Sequence, residues 1–264
     1  MPGETSIGWT DASWNPTVGC SRVSAGCLHC YAKTLHDQRH ALYQANGGLW
    51  TPGGKRMPPQ YAHPFETVQL MPENRLNWPL TVRQPRMIFV NSVSDLFHES
   101  VPEDFIRKVF AIMQKAHWHV FQILTKRHQR LCELGPRLDW PPNVWQGVSI
   151  EKNRWRVRGD DLRIGAALAA VRFYSLEPLL SALPDLDLTA IDWVIVGSES
   201  GRNARPMDEA WVREIRDRCV ARGIPLFYKQ KTIIDEKGYG RKVELPLLDG
   251  VQWPVSAKVT KRVG

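Results

Sequence analysis

The feature that most narrows the fold is an alternation along the chain. Short apolar runs rich in β-branched and aromatic residues are each followed by a stretch with helical spacing. Strands are expected at Val68–Leu70, Met87–Asn91, Val120–Leu124, Val144–Ser149, Val171–Ser175, Trp193–Gly197 and Leu226–Lys229, with Ile7–Thr10 as one more. Helices are expected at Tyr31–His40, Pro102–Ala116, Gln129–Leu134, Lys152–Ala169 and Glu209–Arg222. Pro102-Glu103-Asp104 suits a helix start, and Gly223 before Pro225 suits a stop. Such alternation implies parallel strands joined by crossover helices. The number of units fits a single-domain α/β fold, a complete or partial (β/α) barrel, with a doubly wound open sheet as the alternative. The barrel is expected over residues 1–233, with a loop-rich insertion at 44–65 and a C-terminal extension over 234–264 packed on it.

What ends each strand is informative. Asp95 follows the run at Met87, and Thr125-Lys126-Arg127 follows the run at Val120. Later runs end in Ser149 and Glu151, in Ser175 and Glu177, in Ser198 and Glu199 with Arg205 beyond, and in Lys229. In parallel α/β folds the C-terminal strand ends face the ligand. Turn and capping chemistry accounts for some of these residues one by one, but the recurring set points to one shared site.

The most specific chemistry is a cysteine trio. Cys20, Cys27 and Cys30 stand in a C-x6-C-x2-C spacing on one short loop, 19–31, which opens onto the same end of the barrel. Three close thiols make a metal-site arrangement rather than a core-packing one. Structural zinc takes four protein ligands, whereas an iron–sulfur cluster held by three leaves one iron open. Zinc stays open as a rival, with His29, His36 or His40 as the fourth ligand. A hydrolase using Glu151 and Glu177 is a third reading. Cys132 and Cys219 sit alone in helical patterns and read as core.

The chain of 264 residues carries a net charge of +8 and 11 tryptophans. Cations gather at Lys126-Arg127, at Arg154, Arg156 and Arg158, at Arg202 and Arg205, and at Lys258, Lys261 and Arg262. That balance favours a nucleic acid partner, DNA or RNA. Trp145, Trp193 and Trp253 are either stacking platforms or core. No apolar run is long enough for a membrane helix and no secretory signal pattern is visible, so a cytoplasmic protein is expected.

The cysteine loop after the first barrel strand resembles that of radical S-adenosylmethionine (SAM) enzymes, although their usual first gap is three residues shorter. More specifically, the chain resembles a phage-associated bacterial family of uncharacterised radical-SAM-like proteins. The resemblance runs through W-T-D-A-S-W-N-P (9–16), the C-x6-C-x2-C-Y-A signature (20–32), S-D-L-F-H-E (94–99), S-L-E-P-L-L (175–180) and G-S-E-S-G (197–201). It implies a radical-SAM-type barrel, and a 4Fe–4S cluster on Cys20, Cys27 and Cys30. It also implies SAM as a second cofactor and an electron donor as a partner. Under it, Asp95, Ser149, Glu151, Ser175, Glu177, Ser198, Glu199 and Arg205 are candidate SAM-binding residues. Lys126, Arg127 and Lys229 are candidate substrate-phosphate contacts. The implied reaction is reductive SAM cleavage directed at a nucleic acid, in base repair or modification. The alternative is a non-catalytic nucleic-acid-binding protein stabilised by zinc or a cluster.

Overall fold

The computed structural model describes residues 3–51, 54–201, 203–235 and 240–253. Arg202, Lys258, Lys261 and Arg262, and with them the end of the C-terminal extension, lie outside the described residues.

Among the described residues nine strands form one sheet whose spatial order is its chain order. They are β1 (Gly3–Glu4), β2 (Ala12–Trp14), β3 (Met87–Val90), β4 (Val120–Thr125), β5 (Val144–Ser149), β6 (Val171–Leu176), β7 (Trp193–Gly197), β8 (Leu226–Ile234) and β9 (Gly240–Glu244). Strands β2 to β8 run parallel, while β1 and β9 pair antiparallel at the two edges. Among the described residues no ladder joins the edges, so the sheet is a partial (β/α) barrel. Helices α1 (Tyr31–Ala45), α2 (Glu103–Lys115), α3 (His128–Leu134), α4 (Val157–Gly165) and α5 (Glu209–Ala221) fill five of the six crossovers.

The sixth crossover, from β6 to β7, has no helix. Its prolines, Pro178 and Pro184, disfavour one. Leu179, Leu183, Leu186, Leu188 and Ile191 are buried and cover the outer face of the sheet in its place.

The central parallel strands, β3 to β7, are largely buried on both faces, as a parallel sheet requires, and side chains alternate between them. Ile88, Val90, Phe121, Ile123, Val194 and Val196 belong to the large core with the helices. Phe89, Trp145, Phe173, Trp193 and Phe227 form a second core with Trp9, inside the barrel. Trp193 is its hub, with ring centroids 5.5 Å from Phe173 and 6.1 Å from both Trp9 and Trp145. Gly147 makes room for this plug: a Cβ there would lie 2.5 Å from the Phe173 ring. Trp145 and Trp193 are therefore core. Trp253 packs half-buried against the outer core.

Several expected elements shift. Ile7–Thr10 is not a strand. Thr10 N–H closes a turn onto the Ile7 carbonyl, Trp9 plugs the barrel, and the first parallel strand begins at Ala12. Gln69–Leu70 pairs antiparallel with Thr17–Val18, outside the barrel. The helix expected over Lys152–Ala169 is a 3-10 turn at Asn153–Trp155 followed by α4. In α4, Gly165 lies so close to Leu131 that a Cβ would come within 2.4 Å of its carbonyl oxygen. Helix α1 runs five residues beyond its expected end, into the segment expected to be loop-rich, whose remainder holds a 3-10 turn at Pro59–Ala62. Strand β8 also outruns its expected end and returns as β9. Its register against β7 slips between Tyr228 and Gln230, a bulge that leaves Lys229 out of the ladder.

Candidate functional site

The C-terminal ends of the strands surround a cleft of about 260 Å³. Cys20, Cys27 and Cys30 all line it, opposite Asn91, Ser149, Ser175 and Lys229. The cysteine loop starts with a forced conformation. Gly19 has φ +94°, and a Cβ there would lie 2.5 Å from the Thr67 carbonyl oxygen, so only glycine fits. The Cys20 N–H then donates to the Phe65 carbonyl at 2.9 Å. Cys27 closes a 3-10 turn and Cys30 caps α1.

Three charged clamps from three strand ends hold this loop. After β4, Arg127 donates to the Ser21 carbonyl at 3.0 Å and hydroxyl at 2.9 Å, and reaches the Cys20 sulfur at 3.9 Å, while pairing with Glu99 at 2.7 Å. After β5, Glu151 accepts from the Gly26 N–H at 3.4 Å and pairs with Arg158 at 2.7 Å. Both side chains of that pair are 0% exposed, and the Arg158 guanidinium stacks 4.2 Å over the Trp155 ring. Burial raises the pKa of Glu151, but Arg158 and the Ser24 hydroxyl outweigh it, and the net shift is downward. After β7, Glu199 accepts from His29 Nδ1 at 2.9 Å and from Arg205 Nε at 2.8 Å, and Arg205 donates onward to the Ala25 carbonyl at 2.9 Å. Burial opposes ionisation of Glu199, yet the Arg205 and His29 donors bring its pKa down to about 2.

The remaining candidates sit at the mouth. Asp95 accepts from the Thr125 hydroxyl at 2.7 Å and the Lys126 N–H at 3.0 Å, tying β3's loop to the end of β4. The Lys126 ammonium donates to the Ser149 hydroxyl at 3.3 Å. Ser175 donates to Glu177 at 3.2 Å, and Glu177 pairs with Lys229 at 2.9 Å. Ser198 shares a hydrogen bond with Thr232 at 2.9 Å. So Arg127, Glu151, Glu199 and Arg205 face the cysteine loop, while Lys126, Ser149, Ser175, Glu177 and Lys229 line the open cleft. Glu151 and Glu177, the hydrolase pair, are each neutralised by a cation.

Arg158, His29 and Asn91 complete the site without having been singled out for these roles. Asn91 sits at φ +64°, and its side-chain nitrogen is buried without a partner among the described residues. Strand-end position was the available signal for Asn91. Nothing local marks Arg158 as the partner of Glu151.

Among the described residues no three His, Cys, Asp or Glu side chains converge on a site for one metal ion. Of the histidines weighed as a fourth zinc ligand, His36 and His40 each give one ring N–H to a backbone carbonyl, of His63 at 2.9 Å and Tyr61 at 2.8 Å, and His29 gives one to Glu199, a contact that metal-ligating histidines also make. Burial and the Asp95 carboxylate push the Cys20 thiol up to about 11, against the pull of Arg127. A bare thiol there stays protonated at neutral pH, and metal ligation is what would make it a thiolate.

Among solved structures, two of spore photoproduct lyase share the fold, each with TM-score 0.50 and a match covering 92% of this chain and 71% of the other. One is a cysteine-to-serine variant, 13% identical, and the other, 10% identical, is complexed with a dinucleoside spore photoproduct. A third, a double variant with bound AdoMet and the dinucleoside photoproduct, reaches 0.48 at 12% identity over 89% of this chain and 68% of that one. No curated protein matches the chain. No helix among the described residues is long and apolar enough to cross a membrane. The family profile described as protein of unknown function (DUF5131) matches residues 4–256, and the chain belongs to that family.

Proposed function

We propose that this protein is a radical-SAM-type iron–sulfur enzyme acting on a nucleic acid, in base repair or modification. The observation that carries the reading is the cysteine loop: three thiols on one wall of a barrel-mouth cleft, held from three strand ends. Cys20, Cys27 and Cys30 would hold the 4Fe–4S cluster. When bound, cluster and SAM supply a one-electron cleavage of the sulfonium bond and a radical able to take hydrogen from carbon.

The chain's own residues do the rest. The clamps fix the loop so that the thiols keep their places when loaded, as outer-shell partners do in other metal sites. The aromatic plug closes the barrel below and keeps water from entering on that side. Asn91, Ser149, Ser175 and the Glu177–Lys229 pair offer donors and acceptors for SAM, and Lys126 and Lys229 bring positive charge to the mouth for substrate phosphates. A base in a duplex would have to leave the stack to reach this depth. The net charge of +8 and the fold shared with a lyase that holds a dinucleoside photoproduct support a nucleic acid substrate. Free thiols suit a cytoplasmic setting with an electron-donor protein. The non-catalytic, zinc-held reading is not favoured, since the fold is shared with a lyase.

The test is SAM turnover by anaerobically loaded protein under a strong reductant. Cleavage to 5′-deoxyadenosine and methionine, faster with DNA or RNA present, is expected. Fully loaded protein that leaves SAM intact sinks the reading.

A further inference from the structure

A second pocket adjoins the cleft, and its chemistry differs. Ala32 and Val93 line both cavities. The second is lined also by Leu35, Arg39, Gln60, Tyr61 and Arg75, and no carboxylate belongs to its wall. Arg75 donates to the Gln60 side-chain oxygen at 2.9 Å, and Arg39 hydrogen-bonds the Tyr61 hydroxyl with its guanidinium 5.3 Å from that ring's centroid. Among the described residues neither arginine has a carboxylate partner. The acids of α1 and of residues 46–75 are taken by lysines: Asp37 and Glu66 by Lys33, and Glu73 by Lys108. Burial lowers the pKa of Arg75 against a smaller opposing pull from Tyr61, and no carboxylate offsets it. Two half-buried guanidinium groups with only neutral partners leave donors that suit a tetrahedral dianion or a phosphodiester.

The pocket is also placed along a path. Cys30 caps α1, and from there Tyr31, Leu35 and Arg39 follow at steps of four residues that keep to one face. Nine residues at 1.5 Å each put Arg39 about 13 Å along the helix from the thiol end. Between them Tyr31 and Leu35 are 57% and 39% exposed, an apolar strip between a cleft and a cationic pocket. That order suits a nucleic acid strand: a base in the cleft, sugar and base faces over the strip, and a backbone phosphate beyond.

We propose that Arg39 and Arg75 form a phosphodiester subsite for the nucleic acid strand whose target base enters the cysteine cleft. This deepens the nucleic-acid reading above and rests on it.

The experiment is fluorescence anisotropy of a labelled single-stranded oligonucleotide on the full chain, as a function of salt, for wild type and Arg39→Gln/Arg75→Gln. Each lost phosphate contact on a single strand reduces the slope of log K against log salt by about 0.7, so the double variant should bind roughly tenfold more weakly with a slope shallower by about 1.4. Wild-type binding with the same affinity and slope in the variant overturns the subsite and leaves the nucleic-acid reading standing. Wild-type protein that cleaves SAM but binds no oligonucleotide overturns both. Inorganic phosphate that raises the wild-type melting temperature, while the oligonucleotide ignores both arginines, marks a free-phosphate site and overturns the strand reading. Melting temperatures check folding. If the double variant does not fold, Arg39→Gln alone carries the test with a slope change of about 0.7.

Discussion

The two ends of the barrel are built from the same strands and have opposite chemistry. Inward positions two or four residues apart change from aromatic or apolar to polar: Phe89 to Asn91, Trp145 to Ser149, Phe173 to Ser175, Phe227 to Lys229. The lower half is a dry aromatic plug centred on Trp193. The upper half is a ring of charged and polar groups, most of them holding a loop or lining a cleft. The contrast teaches that stability and function are separated along each strand rather than between strands. Changes below the mouth should cost stability while leaving the loop's chemistry intact, whereas changes at the clamps should loosen the thiols.

The largest effects should come from the centre of each half. Trp193→Ala removes the ring that touches four others, and a loss of about 3–5 kcal/mol in urea unfolding is expected. The iron content of the protein that remains folded should be unchanged. Glu151→Gln leaves Arg158 buried and uncompensated, with a loss of about the same size, and here iron retention should fall as well. Replacing both partners, Glu151→Leu with Arg158→Met, should cost less than the single change. If iron retention is equally lost from the Trp193 and Glu151 variants, the division between the two halves is wrong.

An acid titration gives a smaller, sharper effect. Glu199 has its pKa lowered from 4.5 to about 2, so the folded state binds that proton more weakly than the unfolded state. Its contribution is full above pH 4.5 and is lost as pH falls toward 2, amounting to at most about 3 kcal/mol. Denaturant midpoints between pH 6 and pH 3 should therefore fall less steeply in Glu199→Gln. An unchanged pH slope would show that the clamp after β7 adds no stability. The smallest expected effect is Gly147→Ala, which pushes a methyl into the Phe173 ring and should cost about 1–3 kcal/mol. A neutral result by thermal melting would mean that the plug is looser than its contacts suggest.

The barrel was legible because its strands are short apolar runs and its helices carry their own stops. The shared site was legible as a set, since polar residues recur after strand after strand. Individual roles were not legible. Arg205 reaches Ala25 across 180 positions and Arg127 reaches Ser21 across 106, and no local pattern encodes such pairs. The sequence reading placed Arg127 on a substrate phosphate and Glu151, Glu199 and Arg205 on SAM. In the structure these residues also hold the cysteine loop, and Arg127 and Glu199 line the cleft as well. Ile7–Thr10 has strand-like composition, but Trp9 gains more by filling the barrel than by pairing at an edge. The long helix expected after Glu151 stops at Gly165, where α4 packs against α3 backbone to backbone.

The central claim is that this loop holds an iron–sulfur cluster, and metal analysis tests it most directly. Protein purified without oxygen should carry about four irons with matching sulfide and a broad visible absorption. Both should vanish in the Cys20→Ala/Cys27→Ala/Cys30→Ala variant while its fold persists. Stoichiometric zinc with no iron, unchanged after anaerobic reconstitution with iron and sulfide, would contradict the account.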